Sequence, residues 1–222
     1  MTICFSLSLS AVANSENKDT KIVSQAVAPA AKNLAELVAK IITFKADFEQ
    51  KVVNEIGETM DLSKGNFAIQ RPNHFRWNIT EEFAQLIVAD GDHMWTYDKD
   101  LEQVTIQNQS QLLANSPLLL LTANAEELAE AYKITQVELQ DKSDDKLFLL
   151  LPKSEQSVFE SVHILFKQTV LAEFLIADTL GQKTTVAFSN AELNAKLEPS
   201  LFSFEMPEGI DLVDSRQQVN TP

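Results

Sequence analysis

The segment RPNHFRW, residues 71–77, combines permanent cations with aromatic side chains. Phe75 and Trp77 alternate with polar residues, so both point to one face of a predicted strand. The Pro-Asn pair interrupts the preceding strand, and Arg71 therefore lies where the chain turns from one strand into the next. A guanidinium has five donors and keeps its charge in proteins, so Arg71 can hold several carbonyl groups at the rim of an apolar face.

Catalytic chemistry has little support in the sequence. His74 lies in the RPNHFRW turn, His93 follows a hairpin and His163 lies in a late strand, and no HExxH, GxSxG or CxxC motif occurs. The chain has only 5 glycines and no Gly-rich phosphate loop. Asp90 and Asp92 form a carboxylate pair that is more typical of a solvated hairpin than of a metal site. We therefore expect no catalytic residue, no metal site and no cofactor.

The composition describes one globular domain that binds no nucleic acid. The chain has 222 residues, enough for a full core, and a formal net charge of −14 without a basic patch. Phenylalanine dominates the aromatic residues, with 13 Phe against 2 Tyr and 2 Trp. Phe has no polar group and suits a dry surface. An ordinary core would explain the same count, so the composition leaves both interpretations open.

The N-terminus predicts export. The apolar run ICFSLSLSAVA ends in an A-x-A cleavage signal and is followed by polar residues, which is typical of a signal peptide. No Lys or Arg precedes the run, which a translation start further upstream would explain, and an apolar N-terminus of another kind is the alternative. Cys4 is the single cysteine, so no internal disulfide forms, and no lipobox precedes it. The predicted organisation is a signal peptide over residues 1–13, a linker over 14–31, one domain over 32–216 and a loose tail over 217–222.

The alternation of apolar and polar residues predicts a β-rich domain. Two-residue periodicity over many short segments, with turn signals between them, favours an antiparallel meander of about ten or eleven strands. Such a meander forms a barrel or a strongly curved sheet. The predicted strands are residues 44–49, 60–70, 75–79, 85–89, 94–97, 102–107, 133–139, 146–151, 159–166, 170–177 and 183–189.

Helical segments are few, and they have to cover the concave face. Leu34, Leu37, Val38, Ile41 and Ile42 fall at helical spacing and predict one amphipathic helix. Near the middle of the chain, residues 112–121 suit two short helices around a Pro-containing turn, and residues 125–132 predict a further helical piece. We infer a mainly β domain with some α structure, namely a half-open antiparallel barrel with an α-helical lid over an apolar cavity.

The candidate lining of this cavity is aromatic and aliphatic. Alternation places five aromatic side chains on inward faces, and the central insertion adds a run of leucines after a proline. Simple packing of a helix on a sheet and a cavity with an opening lid both explain this pattern, and the residues alone do not decide between them. The candidate residues are Phe44, Phe48, Phe75, Trp77 and Trp95 on strands, and Pro117, Leu118, Leu119, Leu120 and Leu121 in the insertion.

Four segments in order carry a resemblance to a known family. RPNHFRW is followed by DGDHMWTY, LEQVT and NSPLLLL, and this series resembles the outer-membrane lipoprotein carrier family LolA. The earlier FKADFEQ and the late segment 202–214 fit as well. The resemblance covers residues 34–214, and its specificity comes from the order of the motifs rather than from any one of them.

The resemblance implies a function and a role for Arg71. LolA proteins are monomeric periplasmic carriers that take acylated lipoproteins from an inner-membrane ABC transporter and give them to the outer-membrane receptor LolB. The acyl chains occupy the apolar cavity, and no cofactor takes part. The arginine of the R-P-N-x-F motif, here Arg71, latches the lid of the empty form by hydrogen bonds to lid carbonyls, which we expect near residues 121–122 and on the first helix.

Other functions of the same architecture remain as alternatives. A periplasmic module of this kind can carry other lipids or glycolipids, or can sense mislocalised lipoproteins and regulate a partner. An esterase acting on acylated substrates is disfavoured, since no nucleophile motif occurs. The receptor LolB shares the fold but is itself a lipoprotein, and the absence of a lipobox before Cys4 weighs against that assignment.

Overall fold

The computed structural model describes residues 19–81, 83–109, 125–139 and 144–216. Within these ranges, one twelve-stranded sheet contains all of the strands, and two complete α-helices and one 3₁₀ helix accompany it. The helices are α1 (Asp19–Ala39), α2 (Ala125–Ala131) and the 3₁₀ helix Pro199–Phe202. The strands are β1 (Thr43–Val53), β2 (Thr59–Gln70), β3 (His74–Glu81), β4 (Gln85–Asp90), β5 (His93–Asp98), β6 (Gln103–Asn108), β7 (Tyr132–Val137), β8 (Lys146–Pro152), β9 (Phe159–Lys167), β10 (Val170–Asp178), β11 (Lys183–Leu193) and β12 (Asp211–Asp214).

The structure confirms the mainly β class and each of the eleven predicted strands. It adds a twelfth strand, β12, which pairs with β6 in parallel, so the sheet is mixed rather than wholly antiparallel. The strand order is β12-β6-β5-β4-β3-β2-β1-β11-β10-β9-β8-β7. The coarse architecture is therefore a curved, largely antiparallel open sheet. The predicted lid segment, residues 112–121, lies outside the described residues.

The first helix is longer than the sequence pattern predicted. Helix α1 begins at Asp19 and contains Pro29, so residues 19–31, which we assigned to a linker, are helical. Its predicted apolar stripe is correct in four of five positions, because Leu34, Leu37, Val38 and Ile41 are buried in the main core. Ile42 follows the helix and is exposed.

The core lies between α1 and the concave face of the sheet. It contains the apolar side chains of α1 and inward-facing residues of strands β1 to β4 and β7 to β11. Leu128 of α2 and Tyr132 at the start of β7 join the same cluster, next to α1. An open sheet has no second sheet to cover its apolar face, so α1 takes that position.

The strong curvature begins at irregular strand pairs in the centre of the sheet. The register of β2 against β3 shifts between Lys64 and Gly65, and this bulge bends the strand. A Cβ atom on Gly65 would overlap the carbonyl oxygen of Asn78 and come within 2.9 Å of the Phe48 ring. Glycine is therefore required at this position by the close approach of β3 and of an aromatic ring.

The C-terminal strap, residues 194–210, crosses the convex face from β11 to β12. Asn194 joins it to the start of β1, since its Oδ1 accepts from the backbone N of Ile42 at 2.9 Å and its Nδ2 donates to the carbonyl of Lys40 at 2.9 Å. Phe202 of the strap is buried and contacts His74 edge-on at 5.8 Å. The convex side of β3 and β4 is thus covered by chain rather than by solvent.

We expect Gly65→Ala to reduce the free energy of unfolding by about 1–3 kcal/mol, because the added Cβ overpacks against the backbone of β3. Chemical denaturation measures this change. Gly57→Ala is the control: a Cβ there meets no atom, and only its φ of +84° is unfavourable, so a smaller loss of about 1 kcal/mol is expected. A Gly65→Ala protein as stable as wild type would contradict this account of the bulge.

Candidate functional site

The concave face carries a continuous aromatic cluster. Phe48 stacks on Trp77, with ring centroids 3.8 Å apart and planes 23° apart. Phe67 meets Trp77 edge-on at 5.4 Å, and Phe188 meets Phe44 edge-on at 5.6 Å. Such geometries add to the free energy that burial alone provides. The cluster spans the adjacent strands β3, β2, β1 and β11.

The structure brings four of the predicted cavity residues together. Phe44, Phe48, Phe75 and Trp77 are each at most 4% exposed and belong to one core cluster with the apolar face of α1. Their positions follow from strand register, since Phe44 pairs with Ile69, which pairs with Phe75 on the next strand. In this conformation the aromatic face is covered, so a ligand reaches it only when the covering chain moves.

Trp95 does not belong to this cluster, and its predicted inward orientation is wrong. Trp95 pairs with Val88, whereas Phe75 pairs with Ala89 and Ala89 with Met94. Met94 thus shares the face of Phe75, and Trp95 points to the convex face. There it stacks on Phe204 of the C-terminal strap, with ring centroids 5.3 Å apart. The alternation within β5 was read correctly, but its register against β4 decides which face is inward.

Three aromatic members of the cluster were missed at the sequence level. Phe67, Phe174 and Phe188 lie on the concave face, where Phe188 contacts both of the others at 5.4 and 5.9 Å. The signal was present as period-two alternation, for example Phe67 with Ile69 in β2. Since many strands show the same alternation, the pattern identifies faces but does not select the residues that meet at the centre.

Arg71 lies at the edge of this face, in the turn between β2 and β3. Its backbone N donates to the carbonyl of Ile42 at 2.9 Å, which fixes the turn to the chain that leaves α1. Partial burial lowers the pKa of its guanidinium, and the nearby charge of Glu127 opposes this shift. Glu127 belongs to α2, which directly follows residues 110–124. The guanidinium of Arg71 therefore lies close to the end of the segment that holds the predicted lid.

Of the predicted lid residues themselves, Pro117, Leu118, Leu119, Leu120 and Leu121 lie outside the described residues. The structure describes the chain on both sides of them. Gln109 precedes the segment and is 2% exposed, and its Nε2 donates to the carbonyl of Asn73 at 2.7 Å. Both ends of the segment thus lie near the turn that contains Arg71.

Arg76 shows how different a second arginine of the same motif can be. It pairs with Ala68 and Val88, on the opposite face from Phe75, as the alternation predicted. Its Nη1 donates to the carbonyl of Leu201 in the C-terminal strap at 3.2 Å, and burial lowers its pKa. Arg76 therefore holds the strap on the convex side.

Asp90 organises the hairpin between β4 and β5. Its Oδ1 accepts from the backbone N of Asp92 at 3.0 Å and of His93 at 2.8 Å, and its Oδ2 accepts from Trp95 Nε1 at 3.0 Å. Burial alone would raise the pKa of this carboxyl, but the three hydrogen bonds together bring it below its ordinary value. The carboxylate is thus a structural part of the turn that orients Trp95.

The described residues hold no group of three or more His, Cys, Asp or Glu side chains that could bind a metal ion. None of the described helices is long and apolar enough to cross a membrane. The described site is an apolar surface with one arginine at its edge.

Comparison with known proteins agrees with this geometry. The family described as outer membrane lipoprotein carrier protein LolA matches residues 39–205. An outer-membrane lipoprotein carrier protein of Chromobacterium violaceum is 38% identical over 192 residues, which cover 86% of this chain and 91% of the relative. The protein of the same name from Chromohalobacter salexigens is 34% identical over 192 residues, with 86% and 90% covered.

One solved structure shows a similar fold at low identity, and a second has a lower similarity. A DUF1329 family protein of Desulfovibrio piger is similar with a TM-score of 0.50 and 10% identity, over 80% of this chain and 97% of that one. A LolA superfamily protein of Nitrosomonas europaea has a TM-score of 0.47 and 14% identity, with 79% and 98% covered.

The chain belongs to the LolA family of outer-membrane lipoprotein carrier proteins, as the family match and the curated relatives show. It is a periplasmic lipoprotein carrier and not an enzyme.

We expect Asp90→Asn to lower the free energy of unfolding at pH 7 by about 1 kcal/mol or less, since the carboxylate is largely solvated. The folded pKa of Asp90 lies below the unfolded value of about 3.9, so its stabilisation is complete above that pH and disappears as the pH falls through the folded pKa. The difference between variant and wild type should therefore shrink below about pH 4. Urea denaturation across this pH range measures it, with exposed Asp92→Asn as the control. A difference that stays constant to pH 2 would argue against a charge effect.

Proposed function

We propose that this carrier binds the acyl chains of its lipoprotein cargo against the concave aromatic face. The observation that supports the proposal is the cluster around Phe48 and Trp77, which faces α1 and no second sheet. Aromatic rings without polar groups offer contacts that suit any saturated chain. A surface of this kind distinguishes acyl chains from water rather than one lipoprotein from another.

The size of the hydrophobic effect explains why acyl chains need a carrier and why their release from it is difficult. A methylene removed from water contributes about 0.8 kcal/mol, so three acyl chains with about 40 methylenes contribute on the order of 30 kcal/mol gross. The net affinity is much smaller, because the aromatic face is already buried under α1 in the conformation described. Cargo and covering chain compete for the same surface, and this competition makes release possible.

In this proposal the sheet is a half-open barrel, and the segment with Pro117 and Leu118–Leu121 forms its lid. The lid and α1 move apart when cargo enters. The cargo comes from an inner-membrane ABC transporter that releases lipoproteins, and it goes to the outer-membrane receptor LolB. We expect the carrier to act as a monomer. Family membership supports the cargo class, whereas the two membrane partners are inferred from the family resemblance.

Arg71 is the proposed latch of the closed, empty form. Its turn is fixed to the end of α1, its guanidinium is partly buried, and the charge of Glu127 acts on it from α2. Hydrogen bonds from a charged donor contribute about 1.5–3 kcal/mol each, so two of them bias the lid toward closure without locking it. The latch favours the state that follows delivery and so drives release of cargo.

The two tryptophans provide a direct test, since Trp77 lies on the concave face and Trp95 on the convex face. In a Trp95→Phe protein, a synthetic triacyl lipopeptide with brominated acyl chains should quench the remaining Trp77, because quenching requires contact. In the matched Trp77→Phe protein, the same lipopeptide should leave Trp95 largely unquenched. Steady-state fluorescence titration gives both results.

Equal quenching of the two tryptophans would place the acyl chains elsewhere or indicate unspecific association. Absence of quenching for Trp77, in a protein that binds the lipopeptide in a pull-down, would remove the aromatic face as the site. A lipopeptide without bromine controls for indirect changes of fluorescence that follow lid opening.

Arg71→Leu should leave acquisition of cargo intact and slow its delivery by at least about tenfold, which corresponds to about 1.4 kcal/mol of lost bias toward the closed form. The measurement is release of a labelled lipoprotein from spheroplasts, followed by transfer to outer membranes. Arg76→Leu is the matched control, because it removes an arginine five residues away that holds the strap on the other face. If Arg76→Leu slowed delivery as much as Arg71→Leu, the latch assignment would fail.

A further inference from the structure

All five hairpin loops at one end of the sheet expose a large apolar side chain. The strands of the sheet alternate in direction along the meander, and Val53 at the end of β1 pairs with Lys183 at the start of β11. The turns after β1, β3, β5, β8 and β10 therefore lie at the same end. The exposed side chains in these turns are Ile56 (78% exposed), Phe83 (78%), Leu101 (70%), Val158 (52%) and Leu180 (79%), which we call the apolar rim.

The members of the apolar rim form an ordered row. Their loops join alternate strand pairs of the sheet, so neighbouring loops lie about 10 Å apart, or two strand spacings. Three consecutive loops of the row, those after β1, β10 and β8, touch: Thr179 donates from its backbone N to the carbonyl of Val158 at 3.1 Å, and Gly181 packs against the side chain of Glu55. Ile56, Val158 and Leu180 thus belong to one connected surface.

The opposite end of the sheet is different. Its three hairpin turns within the described residues have the tips Arg71-Pro72-Asn73, Gly91-Asp92 and Gln168-Thr169, which contain no large apolar side chain. The large exposed apolar residue described near that end is Ile42, between α1 and β1. Single exposed apolar side chains are common on proteins. One in each loop of one end only is a pattern that requires an explanation.

Charge indicates what kind of surface the apolar rim fits. Among the described residues, the five loops and the strand ends that flank them carry eight acidic residues and three basic ones, a net charge of −5. The three polar turns at the other end and their flanking residues carry two acidic and two basic residues, with neutral histidine, and so have no net charge. The described residues between β7 and β8, together with Lys146, add a net charge of −2 at that end. Anionic phospholipid headgroups repel a surface of this charge, whereas a basic protein surface attracts it and is steered toward it. The described acidic residues of the rim loops and strand ends are Glu55, Glu58, Glu81, Asp98, Asp100, Glu102, Glu155 and Asp178, and the basic ones are Lys99, Lys153 and Lys183.

We propose that the apolar rim docks a protein that exchanges cargo with this carrier, through a surface on that protein with positive charge around apolar depressions. This inference rests on the proposed function, because it assigns a docking end to the same carrier. The loops lie at the end away from the Arg71 turn. Docking there leaves the latch turn uncovered, so a partner can hold the carrier while the lid moves.

The test removes the apolar tips without touching the aromatic face. The rim variant carries Ile56→Ser, Val158→Ser and Leu180→Ser, and the matched control carries Ile42→Ser, Met206→Ser and Leu212→Ser, three exposed apolar residues outside the rim. Substitution of exposed side chains leaves folding nearly unchanged. Release of labelled lipoprotein from spheroplasts and its transfer to outer membranes should fall at least about tenfold in one step or both for the rim variant only.

A second pair of variants tests the charge. Glu55→Lys with Glu155→Lys reverses two exposed rim charges, and Glu138→Lys with Asp144→Lys reverses two exposed charges at the opposite end. Only the first pair should slow transfer, and added salt should slow transfer by wild type while reducing the difference between the two pairs, because salt screens exposed charges. Equal effects of the two pairs would overturn the charge argument.

Failure of this inference and failure of the proposed function give different results. If the brominated lipopeptide quenches Trp77 equally in the Trp95→Phe protein with and without the rim substitutions, and both transfer steps keep wild-type rates in the rim variant, the acyl site stands and the docking proposal falls. If Trp77 is not quenched in the Trp95→Phe protein itself, the proposed function falls. Sedimentation with phosphatidylglycerol vesicles tests whether the apolar rim binds a membrane instead of a protein. Binding of wild type but not of the rim variant would show a membrane contact and overturn the proposal of a protein partner.

Discussion

A carrier of acyl chains has an apolar surface that must be covered when it is empty, and the rest of this structure depends on how that is done. The concave aromatic face forms one buried core with Leu34, Leu37 and Ile41 of α1, so in the proposed function these side chains compete with cargo for the same apolar contacts. The cover belongs to the same chain, which keeps its local concentration constant. Affinity for cargo is then a difference between two sets of similar apolar contacts, and such a difference is small enough to reverse.

In the proposed function, the concave face of the sheet binds cargo and the convex face supports the sheet. On the concave side the contacts are apolar and can be exchanged. On the convex side, Arg76 donates a hydrogen bond to the C-terminal strap and Trp95 stacks on it. Both contacts depend on orientation, so they fix the position of the strap in addition to burying apolar surface. The strap covers the face opposite the proposed cargo site, and Gly65 allows the close approach of β2 to β3 at the bulge.

Much of this arrangement was predictable from the sequence, because two-residue periodicity is a strong signal over eleven strands. This periodicity does not predict features that depend on residues distant in the sequence, such as the register between strands. Trp95 was assigned to the wrong face because the register between β4 and β5 depends on hairpin geometry rather than on the composition of β5. Strand β12 was missed because four exposed residues show no alternation and pair with β6 far away along the chain. The proposed latch role of Arg71 rests on the family resemblance, and the partial burial of its guanidinium near the charge of Glu127 agrees with it.

The short parallel strand β12 has a consequence for the behaviour of the protein at high concentration. An open sheet leaves two terminal strands whose free backbone groups could pair with another molecule and start aggregation. At one edge of the sheet, β12 has only four residues, with an aspartate at each terminus, Asp211 and Asp214. At the other edge, β7 packs against α1. Like charges at the first edge oppose the approach of an identical edge. These features of the two edge strands disfavour polymerisation of the carrier through backbone pairing, even when its apolar face is exposed.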